Sequence, residues 1–369
     1  MSSGRVAACT VQLCVGALFV VSALAKYVAL GEFELYLYSF RLLSLNLSFL
    51  LSRCVVAGEL LLGVALIANR WHRVVSLLTV LLLSLFTVFL CVVSLVGRTD
   101  SCHCMGELMR FSPTQSMLKN AVLMLATLFF LRRGDAEWRP AWWLAALVAA
   151  LSGAVLVVAA LLGWQPMTRY VFRCLLVLTA VAVVVAAVAT LPFGHRRVSV
   201  VLSCLAPFVA IGVMQPPDNW FRPSDIPLQT DLLERQLEDN PDLQAVDARH
   251  GRKLLAFYST TCHYCQQSAT KVGYIQQRHQ LPSSAFVNVF ATVGDSAIDA
   301  FYLRTGSPRF ASVQLPNDTL LYLTYGSFPT LLLLEEGEVR QVFDFREIDE
   351  HVLVDFLQPV ATPSSTKHK

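Results

Sequence analysis

Lys253-Leu254-Leu255-Ala256-Phe257-Tyr258-Ser259-Thr260-Thr261-Cys262-His263-Tyr264-Cys265-Gln266-Gln267 is an apolar run of strand length that leads straight into a C-x-x-C. The six residues to Tyr258 read as a buried strand closed by Ser and Thr. From Cys262 the chain reads as the opening of a helix. The two cysteines therefore sit at a strand-to-helix junction, the placement of a redox dithiol. There the first thiol meets free backbone N–H groups and the positive end of the helix dipole, and both favour thiolate. The second thiol, one turn on, can attack a mixed disulfide and resolve it. His263, when protonated, adds to the pull on the thiolate. Zinc would need a second ligand pair at standard spacing, and none follows. Cys262 is the candidate nucleophile and Cys265 the candidate resolving thiol.

Downstream, Tyr325-Gly326-Ser327-Phe328-Pro329 leads into Thr330-Leu331-Leu332-Leu333-Leu334, then Glu335-Glu336-Gly337-Glu338-Val339. This predicts a loop with a proline, an apolar strand, a turn and another strand. The domain, 251–360, resembles the thioredoxin fold. The resemblance implies a cis-proline at Pro329 facing the cysteines. The long segment between Cys265 and Pro329, with a helix expected over Asp295–Gly306, is closest to the TlpA-like branch. Two positions depart from that pattern. Thr261 stands where an aromatic residue usually precedes the first cysteine. Ala256 stands where a buried carboxylate usually serves the second thiol.

Upstream the composition changes. Of 369 residues 55% are hydrophobic and 15% charged, against about 25% charged in a soluble domain. The apolar excess lies before residue 214, which predicts an all-α polytopic bundle in a lipid bilayer joined to a C-terminal α/β domain. Seven stretches approach the ~20 apolar residues a crossing needs: Val6–Leu30, Leu50–Ala68, Val74–Val96, Pro113–Leu131, Ala141–Gly163, Phe172–Leu191 and Val198–Met214. Ser112 and Pro113 supply the start signals of the fourth. Ala23-Leu24-Ala25 has the look of a signal-peptide cleavage site. Arg5 is the one basic residue before a long apolar run, so an uncleaved span is expected. Residues 132–214 would be three further helices, 215–250 a linker and 361–369 a disordered tail. The formal charge of +3, with no dense Lys/Arg stripe, gives no reason to expect a nucleic-acid partner. Ten cysteines in this length do not make a disulfide scaffold.

The N-terminus carries Arg5 and alternate loops carry Arg70 and Arg73, Arg132, Arg133 and Arg139, and Arg196 and Arg197. The opposite loops hold comparable numbers, including Arg98, Arg110, Arg169 and Arg173, but the first set is packed more densely against the span ends. The positive-inside rule then places the N-terminus in the cytoplasm and residues 215–369 outside it. The loop after the third span and the tail after the seventh are four crossings apart and share a compartment. That loop holds Cys102-His103-Cys104-Met105-Gly106. Cysteines one residue apart close only a small strained ring, which exchanges readily. Cys102, His103 and Cys104 as ligands for zinc or copper is the competing reading, but further ligands at standard spacing are missing. Lys26 and Glu59 are ionisable residues inside spans, a costly placement that marks function. They can pair across the bundle, or Lys26 can snorkel to the interface.

Gly16-Ala17-Leu18-Phe19, Ser22 and Lys26 in span one, Glu59-Leu60-Leu61-Leu62-Gly63 in span two, and Cys102-His103-Cys104-Met105-Gly106 with Lys119-Asn120 beyond span three together resemble the MauE/DoxX-like four-helix membrane family. The resemblance covers residues 1–131. Met105 replaces the family's usual aromatic residue. It implies a methylamine utilisation-like role in forming or processing disulfides in periplasmic proteins.

The expectation is an oxidoreductase of the inner (plasma) membrane. It would relay electrons between Cys102/Cys104 and Cys262/Cys265, and its partners would be the thiols and disulfides of exported proteins. No metal is expected, and a quinone is the candidate electron acceptor. A membrane-anchored adaptor whose thioredoxin-like domain only binds a partner, and a transporter with a redox-regulatory domain, are the alternatives.

Overall fold

The computed structural model describes residues 3–67, 72–95, 112–133, 196–217 and 226–358. The chain forms two compact units. One is Met1–Leu37 with Leu47–Pro216, and the other is Tyr38–Asn46 with Pro217–Lys369.

The first unit is helical: α1 (Ser3–Val28), α2 (Leu30–Tyr38), α3 (Leu45–Ile67), α4 (His72–Leu95), α5 (Pro113–Arg133) and α6 (Arg196–Met214). Among the described residues four segments are long and apolar enough to cross a membrane: Val6–Val28, Leu45–Ile67, His72–Leu95 and Pro113–Arg132. They coincide with the first four expected spans. Ala141–Gly163 and Phe172–Leu191 lie outside the described residues. The seventh falls on α6, whose apolar stretch Cys204–Met214 is shorter than a crossing and contains Pro207.

Two boundaries differ from the sequence reading. Span one stops at Val28, and the apolar residues after it belong to the separate helix α2. Span two begins at Leu45, five residues before Leu50. The polar residues at its start find partners there. The Ser52 hydroxyl donates to Phe49 O at 2.9 Å, and Arg53 pairs with Glu34 while donating to Phe49 O and Gln215 O at 2.8 Å. A paired, bonded arginine does not have to end an apolar helix. α5 opens on a capping box. Gln115 N donates to Ser112 Oγ at 3.3 Å, and Ser112 N donates to Gln115 Oε1 at 3.0 Å. Gly16 and Gly63 let the α1 and α3 backbones touch. A Cβ on Gly63 would lie 2.9 Å from both Gly16 O and Val20 N. Small residues are what permit such close approach between membrane helices.

The second unit is an α/β domain. α7 (Thr230–Asp239), α8 (Pro241–Ala245), β1 (Arg252–Tyr258), α9 (His263–His279), β2 (Phe286–Ala291), α10 (Asp295–Thr305), β3 (Ala311–Leu315), α11 (Asn317–Thr324), β4 (Thr330–Glu335), β5 (Glu338–Phe343) and α12 (Glu350–Leu357) follow in order. The five strands lie in the order β3-β2-β1-β4-β5. β1 pairs parallel with β2 and antiparallel with β4, Leu254 opposing Phe286 on one side and Leu333 on the other. β1 is central and buried on both faces, which is why it reads as an unbroken apolar run.

Leu255, Phe257, Val287, Val289, Leu332 and Leu334 share one face, with Leu233, Leu237, Leu243 and Ala248 packed into the same core. Within the expected linker the sequence reads as a polar helical stretch over about Thr230–Glu238 followed by a loop; α7 forms there, α8 follows it, and residues 230–248 contribute four core residues to this unit. The apolar spacing Leu233/Leu237 is one helical turn, enough to fix a buried stripe. The expected helix over Asp295–Gly306 is α10, with Gly306 as its left-handed C-cap.

Tyr38–Asn46 packs in this unit through Glu350, the first residue of α12. The Tyr38 hydroxyl donates to Glu350 Oε1 at 2.9 Å, Leu45 N to Oε2 at 3.1 Å, and His279 Nε2 lies 2.7 Å from Oε1. Burial pushes the Glu350 carboxyl up, but these bonds and Arg278 together hold it below the usual range.

Candidate functional site

Two groups of chemistry-bearing side chains stand out, one in each unit. In the α/β unit β1, the central strand, ends at Tyr258, and a tight turn follows. Cys262 N donates to Ser259 O at 3.2 Å. Cys262 is the N-cap of α9, with extended backbone (φ −77°, ψ 120°) and no side-chain cap. Gln266 N closes the first helical turn on Cys262 O at 3.1 Å. A thiol at this position stands where the helix leaves its N–H groups unpaired. Its sulfur lies 3.9 Å from Phe328 O, and the next peptide bond, Phe328–Pro329, is cis. The structure thus brings Cys262, His263, Cys265 and Pro329 into one neighbourhood.

The two thiols are electrostatically unequal. The Cys265 thiol, hydrogen-bonded to the Cys262 sulfur, is the largest influence holding Cys262 down at about 6. Burial opposes that shift. The backbone N–H groups of Cys265 and Tyr264 add to it, and the neighbouring His263 adds further. Cys265 is fully buried, and its thiol is pushed far up by the same hydrogen bond and then by burial. Ser259 N donates to its sulfur at 3.4 Å. The arrangement is a half-exposed thiolate in front and a protonated thiol behind it. His263 turns its ring to Gln267, Nε2 to Nε2 at 3.0 Å.

A ring stack and two buried hydroxyls nearby were not legible from the sequence. Tyr264 stacks on Phe345 at 4.3 Å between ring centroids, 81 residues apart in the chain. Tyr258 Oη and Ser268 Oγ are buried with no hydrogen-bond partner among the described residues. Tyr258 ends β1 and feels the charge of Cys265, while Ser268 follows Cys265 by one turn of α9. The position Ala256 is buried and apolar, so no carboxylate stands at that point of β1.

In the helical unit Lys26 and Glu59 meet. Lys26 Nζ lies 2.7 Å from both carboxylate oxygens of Glu59 and 3.0 Å from Ser22 Oγ. Ser22 in turn donates to Glu59 Oε2 at 3.2 Å. Lys26 is 1% exposed, so it does not snorkel. A doubly bonded carboxylate is the geometry in which a buried ion pair offsets its own desolvation. These residues line a small cavity together with Lys119 and Asn120 of α5. The Asn120 amide donates to Thr87 Oγ1 at 3.3 Å.

Cys102, His103 and Cys104 lie outside the described residues. Among the described residues no group of three or more His, Cys, Asp or Glu side chains is placed to hold a metal ion.

A curated protein, Protein TlpB of Flavobacterium psychrophilum, is 34% identical to this chain over 136 residues. The match covers 33% of this chain and 36% of that protein, so it spans about a third of the relative's length. Residues 5–133 match the family model of methylamine utilisation protein MauE, which places α2 to α5, all but the first two residues of α1, and the Lys26–Glu59 pair inside the matched region.

Proposed function

We propose that this chain is a membrane thiol-disulfide oxidoreductase with a thioredoxin-like domain outside the cytoplasm. The observation that carries the reading is the asymmetric pair at the start of α9. Cys262 is a half-exposed thiol held near pH 6 beside a cis-proline, and Cys265 is a buried thiol one turn behind it. The strand order and the parallel and antiparallel pairings of β1 support the fold resemblance. The MauE match supports a disulfide-related role for the membrane half.

When the pair acts as reductant, a partner's disulfide is attacked by the Cys262 thiolate, and one partner sulfur leaves as thiolate. Cys265 then gives its proton to the released partner thiolate and attacks the Cys262 sulfur of the mixed disulfide, and the second partner sulfur leaves as thiolate as the Cys262–Cys265 bond forms. The partner leaves reduced, and Cys262–Cys265 is left oxidised. The reverse sequence donates a disulfide. Cys102/Cys104 would be the second dithiol, exchanging with this pair from the same compartment. All else equal, a strained Cys-x-Cys ring would be the more oxidising of the two, and electrons would then run from Cys262/Cys265 to Cys102/Cys104 and onward to a quinone.

The test uses the full-length protein and a model disulfide substrate. Cys262→Ser should abolish exchange, and Cys265→Ser should accumulate mixed disulfides. Unchanged turnover in Cys262→Ser overturns the assignment. Wild-type protein without any exchange, yet still binding partners, would favour the adaptor reading, to which Ala256 gives some weight. For the relay, a Cys104→Ser, Cys265→Ser double variant should trap a Cys102–Cys262 bridge, and its absence together with that of the swapped pairings refutes direct exchange.

A further inference from the structure

The cavity beside the Lys26–Glu59 pair has a charge composition that the pair does not explain. Lys26 uses all three of its ammonium hydrogens: two point at Glu59 oxygens 2.7 Å away and one at Ser22 Oγ, 3.0 Å away. Glu59 is equally engaged, accepting from Lys26 on both oxygens and from Ser22 on one. Lys119 lines the same cavity from α5, half-buried, and has no hydrogen bond or ion pair among the described residues. The lining therefore carries two ammonium groups and one carboxylate, a surplus of one positive charge within membrane-spanning segments. An ammonium there is costly unless an oxygen acceptor meets it.

Apart from Asn120 the rest of the wall is apolar, with Phe19, Leu83, Phe86 and Leu123 among its residues. The cavity measures about 80 Å³, well below the ~300 Å³ of a pocket that swallows a whole ligand. It has room for one end of a molecule and not for its body.

We infer that this cavity is a binding site for the oxygen-bearing head of a lipid-soluble ligand, with Lys119 donating to a carbonyl or carboxylate oxygen while the apolar body stays among the helices. The carbonyl edge of a quinone and the carboxylate of a fatty acid share this chemistry. The redox reading above selects the quinone, and the inference rests on that reading for this choice alone. Two thiols closing to a disulfide release two electrons and two protons, and a quinone leaving as quinol takes up the same. An apolar wall with a single ammonium donor suits a neutral carbonyl on a hydrophobic ring. Asn120, beside Lys119 in sequence and lining the same wall, has a second amide hydrogen beyond the one given to Thr87.

The test is direct binding to the full-length protein in lipid nanodiscs, with decylubiquinone and oleate as separate probes. Lys119→Met should weaken decylubiquinone binding at least tenfold, and Lys119→Arg, which keeps a donor, should hold it within about threefold. If oleate and not decylubiquinone shows that pattern, the site stands and its ligand is the carboxylate. If Lys119→Met leaves both affinities unchanged while its melting temperature matches wild type, the site is refuted. Cys262→Ser should bind the probe as wild type does, so failure of the thiol chemistry and failure of this site are separate results.

Discussion

The acidity of Cys262 gives a sharp measurement. The structure holds this thiol at about 6, against an ordinary 9.0, chiefly through the hydrogen bond from Cys265. At pH 7 a thiol of that acidity is about nine-tenths thiolate, and an ordinary one about one-hundredth, a roughly 90-fold difference in the reactive form. A less basic thiolate is also a weaker nucleophile, by about 16- to 32-fold over three units at a Brønsted slope of 0.4–0.5. The two effects nearly cancel at neutral pH, leaving Cys262 only about three- to sixfold faster than an ordinary cysteine. At pH 5 the thiolate ratio rises to about 1,000 and the net advantage to roughly 30- to 60-fold.

The informative assay is therefore the pH dependence of alkylation in reduced full-length protein. Iodoacetamide modification of Cys262 would be followed peptide by peptide in a mass spectrometer. The rate should titrate with a midpoint near 6. Cys265→Ala removes the donor and should move the midpoint upward. A midpoint above 8 in the wild type, or no movement in Cys265→Ala, refutes the hydrogen bond as the cause.

The same titration has a consequence for stability. A thiol more acidic in the folded than in the unfolded chain makes the unfolded state bind more protons between the two values. The reduced protein should gain stability as pH rises from 6 to 9 and lose it as pH falls back through 6, while the protein with Cys262–Cys265 oxidised, in which neither of these two thiols titrates, should not; denaturant unfolding of both forms across that range checks it. Removing one partner of a buried ion pair costs about 3–5 kcal/mol. Glu59→Gln should therefore destabilise the helical unit strongly, and a Lys26→Met, Glu59→Leu double variant should regain most of the loss; equal melting of wild type and Glu59→Gln would sink the pairing argument. A methyl on Gly63 meets the α1 backbone at 2.9 Å, whereas one on Gly58 of the same helix meets nothing within 4 Å. Gly63→Ala should cost about 1–3 kcal/mol and Gly58→Ala nothing, and equal thermal shifts would show that α1 and α3 are not in backbone contact.

Local pattern determined the elements. The run Lys253–Tyr258 is β1 because a central strand buried on both faces is apolar at every position. Cys262 and Cys265 are legible for the same local reason, since the cysteines and the junction are adjacent in the chain. The four described spans follow from length and hydropathy. Ser112 and Gln115 mark the start of α5 because both halves of a capping box lie within one turn.

What the sequence left open depends on residues brought together from far apart. The Leu233/Leu237 stripe reads as a solvated helix until the sheet supplies the face it covers. Tyr264 and Phe345 carry no mutual signal, because nothing local says that β5 ends over α9. Lys26 and Glu59 can each be read as a lone costly charge, and only the touching backbones of α1 and α3 turn them into a pair. The acidity of Cys262 is likewise a tertiary property. The helix N-terminus is written in the sequence, but the largest contribution comes from the Cys265 thiol, buried and held protonated by the folded domain around it. Short-range chemistry is fixed by spacing along the chain, and acidity, pairing and cavity charge by which surfaces the fold removes from water.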